Sequence, residues 1–162
     1  MFERVTYAIR SEETGLACGM ASYLDIHPKA GVIEIGYIWF GPSLQRTWGG
    51  TEALYLLLDH AMTDLGYRRM QWRCNSLNAK SRAAARRLGF RFEGTFFNHM
   101  IVKGMSRDTA WYSILNDEWP EVKSHLAAWL ADENFDTEGQ AKRSLAEMMA
   151  ERSPSARSEA PW

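Results

Sequence analysis

Between a strand-like run, Gly31 to Phe40, and a helix-periodic run, Thr51 to Leu65, the chain reads Leu44-Gln-Arg-Thr-Trp-Gly-Gly-Thr51. A glycine-bearing loop entering a helix can hold phosphate. The first N–H groups of a helix have no helical acceptor, and the helix dipole favours negative charge there. No lysine follows the glycines, which excludes a nucleoside-triphosphate P-loop. No second strand–helix unit with a ribose-binding acid follows at the distance of a dinucleotide fingerprint. Four other side chains have chemistry to offer. Glu34 lies mid-strand among apolar neighbours, where a carboxylate is costly unless it is paired or used. His99 is of the type that moves protons near neutrality, or else a hydrogen-bonded residue of the sheet face. Ser81 can donate a proton or brace a first helical turn. Cys74 is more simply a small apolar filler than a nucleophile.

About one strand after the loop, Asn78-Ala-Lys-Ser81 opens a short helix that ends at Leu88-Gly89-Phe90. In this order and spacing the two segments resemble the GNAT superfamily of acetyl-CoA-dependent N-acetyltransferases. Gln45 and Gly50 stand at the first and last positions of its Gln/Arg-x-x-Gly-x-Gly/Ala pyrophosphate loop. Trp48 departs from that pattern where its first glycine is expected, and Gly49 is shifted by one. Glu34-Ile-Gly-Tyr37 and Glu93-Gly94 look like the ribosomal-protein N-acetyltransferase (RimJ/RimL) branch. The resemblance runs from about Thr6 to Leu115.

That resemblance implies an α/β (α+β) fold, a central mixed, mostly antiparallel twisted sheet with helices on both faces. It implies acetyl-CoA as co-substrate and direct attack by an amine in a ternary complex. The pantetheine arm is expected where the Val32–Phe40 and Arg68–Asn75 strands splay apart, with backbone N–H groups of Tyr37, Ile38 and Trp39 on the thioester carbonyl. Gln45, Arg46, Thr47, Trp48, Gly49, Gly50 and Thr51 are expected to cradle the pyrophosphate, and Asn78 and Ser81 to bond the pantetheine. Arg46, Lys80 and Arg82 are candidates for the phosphates. The amine must lose a proton, the carbonyl must be polarised and the thiolate must gain a proton. Glu34 or His99 is the candidate base and Ser81 the candidate acid. The acceptor is a small amine or a peptide N-terminus. The family pattern opens with a strand and two helices ahead of Val5–Arg10, and this sequence is expected to lack them. A non-catalytic acyl-CoA-binding or interaction module is therefore the alternative. The edge strand so exposed invites pairing with a second copy.

The elements must position these groups within one domain, since 162 residues suffice for a single core. The division expected is an acetyltransferase-like part over 1–131 and an extension over 132–162, partly helical and then disordered. A net charge of −1 gives no electrostatic case for nucleic acid or membrane. No apolar run spans a bilayer, no signal peptide is visible, and two cysteines fit a reducing compartment, so a cytoplasmic location is expected. No metal is expected. Strands are predicted over Val5–Arg10, Leu16–Ile26, Val32–Phe40 and Arg68–Asn75, and a hairpin of Phe90–Val102 and Thr109–Leu115 around Lys103–Asp108. Helices are predicted over Thr51–Leu65, with Leu65 on the buried face, over Ala79–Leu88, and from Asn116-Asp-Glu-Trp-Pro120 onward. A further helix is expected within Ala141–Arg152, and disorder from Ser153 to Trp162. Trp39, Trp72, Trp111 and Trp129 fall at alternating or helical positions and are expected mostly in the core.

Overall fold

The computed structural model describes residues 4–155 and 157. Six strands form one sheet in the order β1-β2-β3-β4-β6-β5: β1 Val5–Arg10, β2 Ala17–His27, β3 Val32–Phe40, β4 Arg69–Asn75, β5 Arg91–Val102 and β6 Met105–Leu115. Only β3 and β4 run parallel, because α1 (Trp48–Asp59) crosses between them. The mixed, mostly antiparallel sheet is the one the resemblance implied. Helices α2 (Ala79–Arg87), α3 (Trp119–Leu130) and α4 (Leu145–Ala150) complete the regular elements of the described residues.

Strand alternation sorts the side chains onto two faces. On β4, Met70, Trp72 and Cys74 are buried while Arg69, Gln71 and Arg73 are half-buried. The first set joins Ala21, Tyr23, Ile33, Ile35, Tyr112 and Ile114 in one apolar core, and that core also takes Leu57 and Leu58, Ala85, Val122 and Leu126, and Leu145 and Met148. Helices on both faces were anticipated; the four helices of the described residues instead share this one core and therefore one face of the sheet. Tyr23 donates its hydroxyl to the Leu57 carbonyl of α1 (2.5 Å), and burial first of all holds that hydroxyl protonated far above its usual range. The opposite face carries polar groups that pair among themselves, Arg69 with Glu93 and Arg73 with Asp25 and Glu34.

Several boundaries differ from expectation for local reasons. The first long helix starts at Trp48, capped by Thr47, and not at Thr51. It closes with a π turn, His60–Asp64, in which Leu65 N–H reaches His60 O (2.9 Å). The extra residue rotates Leu65 off the buried face, and it is 52% exposed. The hairpin turn is two residues, Lys103 and Gly104, both at positive φ, so β6 starts at Met105. Asp108 lies within β6 and accepts the Asn98 N–H (2.7 Å) where β5 bulges. Helix α3 begins after Glu118 and not at Asn116, because the Glu118 carboxylate takes the Leu115 N–H (3.0 Å) and the Arg91 guanidinium (2.8 Å). Trp72 and Trp129 are buried and Trp111 half-buried, but Trp39 is 59% exposed. The last segment is docked as far as it is described: Ser153 N–H bonds Glu121 (2.9 Å) and Arg157 pairs with Glu118 (2.6 Å). Residues 156 and 158–162, where disorder was expected, lie outside the described residues.

Gly89 ends α2 at φ +93°. A Cβ there would stand 2.9 Å from Val122 Cγ1 and 3.1 Å from Met149 Sδ. The αL backbone and the close approach of α3 and α4 both require glycine. Gly89→Ala is expected to lower the unfolding free energy by about 2–4 kcal/mol, read from urea denaturation.

Candidate active site

The site begins with a break in the sheet. β3 and β4 pair only over Val32↔Arg69, Ile33↔Met70 and Glu34↔Gln71. Beyond Glu34 the two strands diverge. Against β2, Ser22 faces Gly36 but Met20 faces Trp39, so β3 advances three residues for two. The surplus is a β-bulge, and Tyr37 sits in it at φ +47°. The bulge reverses the alternation. Ile33 and Ile35 point into the core before it, Ile38 and Phe40 pack there after it, and Tyr37 and Trp39 are left exposed. That is why Trp39 escapes the core its parity predicted. The β3 backbone from 35 to 40 has no β4 partner, which leaves main-chain donors and acceptors facing a wedge.

The loop after β3 is tied to itself. Gln45 Nε2 donates to Phe40 O (2.9 Å), Thr47 Oγ1 donates to Leu44 O (2.8 Å), and Gly50 N–H donates to Thr47 Oγ1 (3.1 Å). Arg46 takes φ +59° to close the turn. With Gly50 capped, the N–H groups of Trp48 and Gly49 belong to a first helical turn with no helical acceptor. A Cβ on Gly50 would lie 2.8 Å from Leu44 O, so the last glycine of the loop is obligatory. A Cβ on Gly49 meets only ordinary contacts of 3.7 Å and beyond. Trp48 is 40% exposed and lines the cleft that opens beside the loop. Its Nε1 donates to Leu130 O (2.9 Å) and fastens the loop to the end of α3. Thr51 is buried and accepts from Arg87 (3.1 Å).

Asn78 and Ser81 enter together. Asn78 Oδ1 caps α2 by accepting the Ser81 N–H (3.0 Å), and Ser81 Oγ accepts from Trp72 Nε1 (3.0 Å). An oxygen that accepts the indole keeps its own O–H as a donor. Lys80 is exposed. Arg82 spans Tyr112 Oη and Ser76 O (3.1 Å each). Cys74 is buried in the core.

Glu34 is 4% exposed, on the face away from the helices. Arg73, from across the wedge, binds both it and Asp25. Burial pushes the Glu34 carboxyl up from its ordinary range, and Arg73 only partly restores it. The carboxylate leans along the strand: its Oε1 stands 3.5 Å from where a Gly36 Cβ would be, next to the bulge. His99 lies on the same face, on β5, with Nδ1 2.9 Å from Thr109 Oγ1 and its ring against Phe96 and Trp111. β4 and β6 separate it from β3. Three strand spacings are on the order of 14 Å, so Glu34 and His99 do not act as a dyad.

A cleft of about 640 Å³ opens between α1, α2 and the segment after α3. Its walls include Phe40, Arg46, Gly50, Thr51, Arg87 and Trp129. Arg87 was not singled out from sequence. Among the described residues no group of His, Cys, Asp or Glu is placed to hold a metal, and no helix is long and apolar enough to cross a membrane.

Residues 2–91 match the family described as the acetyltransferase (GNAT) domain. A protein of Bacillus subtilis named "Putative ribosomal N-acetyltransferase YdaF" is 33% identical over 109 residues, 67% of this chain and 59% of its own length. A GCN5-related N-acetyltransferase from Brucella melitensis superposes with a TM-score of 0.88 at 46% identity, covering 91% of this chain and 67% of that one. A probable acetyltransferase of the GNAT family from Chromobacterium violaceum gives 0.70 at 46%, covering 73% and 59%. The chain thus spans about three fifths of YdaF.

The Asn78 cap is separable from any ligand. Asn78→Ala is expected to cost about 1 kcal/mol of stability and Asn78→Asp much less, measured by denaturant unfolding without ligand.

Proposed function

The chain belongs to the GNAT acetyltransferase family, and we propose that it carries the donor site and catalytic groups of an acetyl-CoA-dependent N-acetyltransferase acting on a primary amine. The observation that carries this reading is the wedge between β3 and β4, with the open first turn of α1 and the Asn78–Ser81 cap at its mouth. The residues fit a CoA thioester. The Gln45–Thr51 loop has unclaimed N–H groups beside a glycine that no side chain can replace. The cleft wall supplies two arginines and no acid. The thioester, when bound, supplies the activated acyl group.

The chain's own residues do the rest. The unpaired β3 backbone around Tyr37–Trp39 polarises the carbonyl. Glu34 takes the proton of the amine, directly or through a water. Its elevated pKa suits a base that works near neutrality, and Arg73 and Asp25 fix its position. Ser81 turns its O–H toward the leaving sulfur while Trp72 holds its oxygen. His99 lies strands away and serves the hairpin face. The amine, a small molecule or a peptide N-terminus, approaches from the face opposite the helices, where Glu34 and the exposed Tyr37 and Trp39 stand.

Two measurements test this. CoA and acetyl-CoA should raise the melting temperature of the parent chain, and Gly49→Glu, which the fold tolerates in van der Waals terms, should remove the shift by placing a carboxylate in the anion site. An equal shift in parent and variant would reject the loop as the phosphate cradle. With a panel of amines and thiol release as readout, Glu34→Gln should lower kcat roughly 10²- to 10⁴-fold while acetyl-CoA affinity stays intact. His99→Ala should leave kcat within a few-fold; the reverse pattern would assign the base to His99.

A further inference from the structure

Acids and bases are unevenly matched on the sheet face away from the helices. Arg69 pairs with Glu93 there, and one arginine, Arg73, serves both Glu34 and Asp25. β6 buries Ala110, Tyr112 and Ile114 in the core, so Arg107, Thr109 and Trp111 alternate onto this same outer face. Arg107 has no ion pair among the described residues. Arg82 and Arg87 also lack a carboxylate, but each donates to a neutral oxygen, Arg82 to Tyr112 and Arg87 to Thr51. The Nε of Arg107 is instead buried with no acceptor at all among the described residues. Four positions along the strand, the indole Nε1 of Trp111 is buried and unaccepted too. The third such atom on this face is Glu34 Oε2, which is met only through the Arg73 ion pair.

Register puts these groups around the wedge. Trp111 pairs with Arg73 of β4, and the Arg73 guanidinium lies 4.9 Å from the centre of its ring. Thr109 pairs with Asn75, the last residue of β4, so Arg107 stands past the end of that strand. Burial raises the Glu34 carboxyl, and Arg107 is near enough to pull, with Arg73, against that rise. The Arg107 and Glu34 charges thus feel each other without coming within ion-pair distance. An amine seated at Glu34 answers the orphaned carboxylate oxygen. The two orphaned donors call for an anionic acceptor in the same place.

We propose that the acceptor is a small zwitterion, an amine that binds at Glu34 and carries a few bonds away an oxyanion held by Arg107, with Trp111 as the second donor. This rests on the reading of the chain as an N-acetyltransferase with Glu34 as its base. A guanidinium suits the paired oxygens of a carboxylate or phosphonate, and its charge strengthens each bond. A polyamine would bring a second cation toward Arg107. A peptide N-terminus would offer only a neutral amide where the charge is needed.

The experiment is steady-state acetyl transfer by the full chain, read as thiol release from acetyl-CoA. The acceptors are free amino acids, the matching amino acid amides, the matching aminophosphonates and dipeptide amides. The proteins are the parent, Arg107→Gln, Arg107→Lys and Trp111→Phe, with acetyl-CoA titration and thermal unfolding without ligand alongside. The parent should favour amino acids over their amides roughly 10- to 100-fold in kcat/KM. The amide has the less basic amine, so a preference against it does not come from the ease of deprotonation. Arg107→Gln should bring that ratio close to one, chiefly through KM for the amino acid, with Arg107→Lys in between. Trp111→Phe, which keeps the ring and removes the donor, should lower the ratio several-fold. Aminophosphonates used as well as amino acids assign the subsite to oxyanions in general; their rejection assigns it to carboxylates. A parent that uses amides or dipeptide amides as well as amino acids overturns the proposal, as does a preference that survives Arg107→Gln. A ratio untouched by Trp111→Phe overturns the role of Trp111. A chain that binds acetyl-CoA and acetylates none of these amines rejects the catalytic reading itself, and this proposal with it. If Arg107→Gln does not fold, Arg107→Lys and Trp111→Phe still decide.

Discussion

The site depends on one failure of pairing. Two parallel strands linked by a crossover helix would normally stay hydrogen-bonded along their length, and here they part after three residue pairs. The bulge at Tyr37 is what sends β3 away from β4, and its cost is a non-glycine residue at positive φ. In return the sheet interior offers main-chain N–H and C=O groups that no strand claims. An extended acyl arm is chemically suited to such a wedge, because it can pair with strand backbone much as another strand would. The same bulge switches side-chain parity, so the strand that builds the core below it presents Tyr37 and Trp39 to solvent above it.

The rest of the fold serves to hold that wedge open from one side. α1 anchors on β2 through Tyr23, and α3 grips α1 through Lys123 to Asp59 (2.6 Å) and Trp119 to Thr63 (3.0 Å). α4 contributes Leu145, Met148 and Met149 to the same core, and Gly89 lets α3 and α4 approach the end of α2. α1 and α2 are each braced by the C-terminal helices, which leaves the space between their facing ends as a cleft instead of a packed contact. On the other face, Arg73 bridges the wedge to two carboxylates. Burying one arginine among two acids is costly unless each charge is matched, and the raised Glu34 carboxyl is the sign of an imperfect match.

What the sequence made legible follows from how local each signal is. The strands alternate, the loop glycines and the Asn78 cap are nearest-neighbour chemistry, and the order of the motifs carries the family. Glu34 stood out as a charge in an apolar run, and its burial is confirmed at 4% exposure. The π turn was hidden, because the bonds that favour it run from Thr63 and Asp59 to residues on α3, far along the chain. The two-residue turn at Lys103-Gly104 was readable in principle from a glycine in αL, but the polar stretch around it masked the strand. The parity switch at Tyr37 depends on register against β2, which a single strand does not encode. Arg87 was invisible for the same kind of reason: its partners Thr51 and Trp129 lie 36 and 42 positions away.

Trp48 ties these strands of argument together. In a glycine position of the loop pattern a large side chain ought to crowd the anion cradle. Here the ring lines the cleft beside the cradle, and its indole N–H satisfies the carbonyl of Leu130, the last residue of α3. Helix-terminal carbonyls are among the groups a fold must satisfy from elsewhere, so loop and helix end supply each other's need. The substitution trades flexibility at the cradle for attachment to the C-terminal segment. That segment also carries Trp129, on which Arg87 rests. A loop that looks degraded by pattern alone is, by its contacts, coupled to the C-terminal segment. The departure from the family motif and the presence of the C-terminal helices are then two parts of one arrangement.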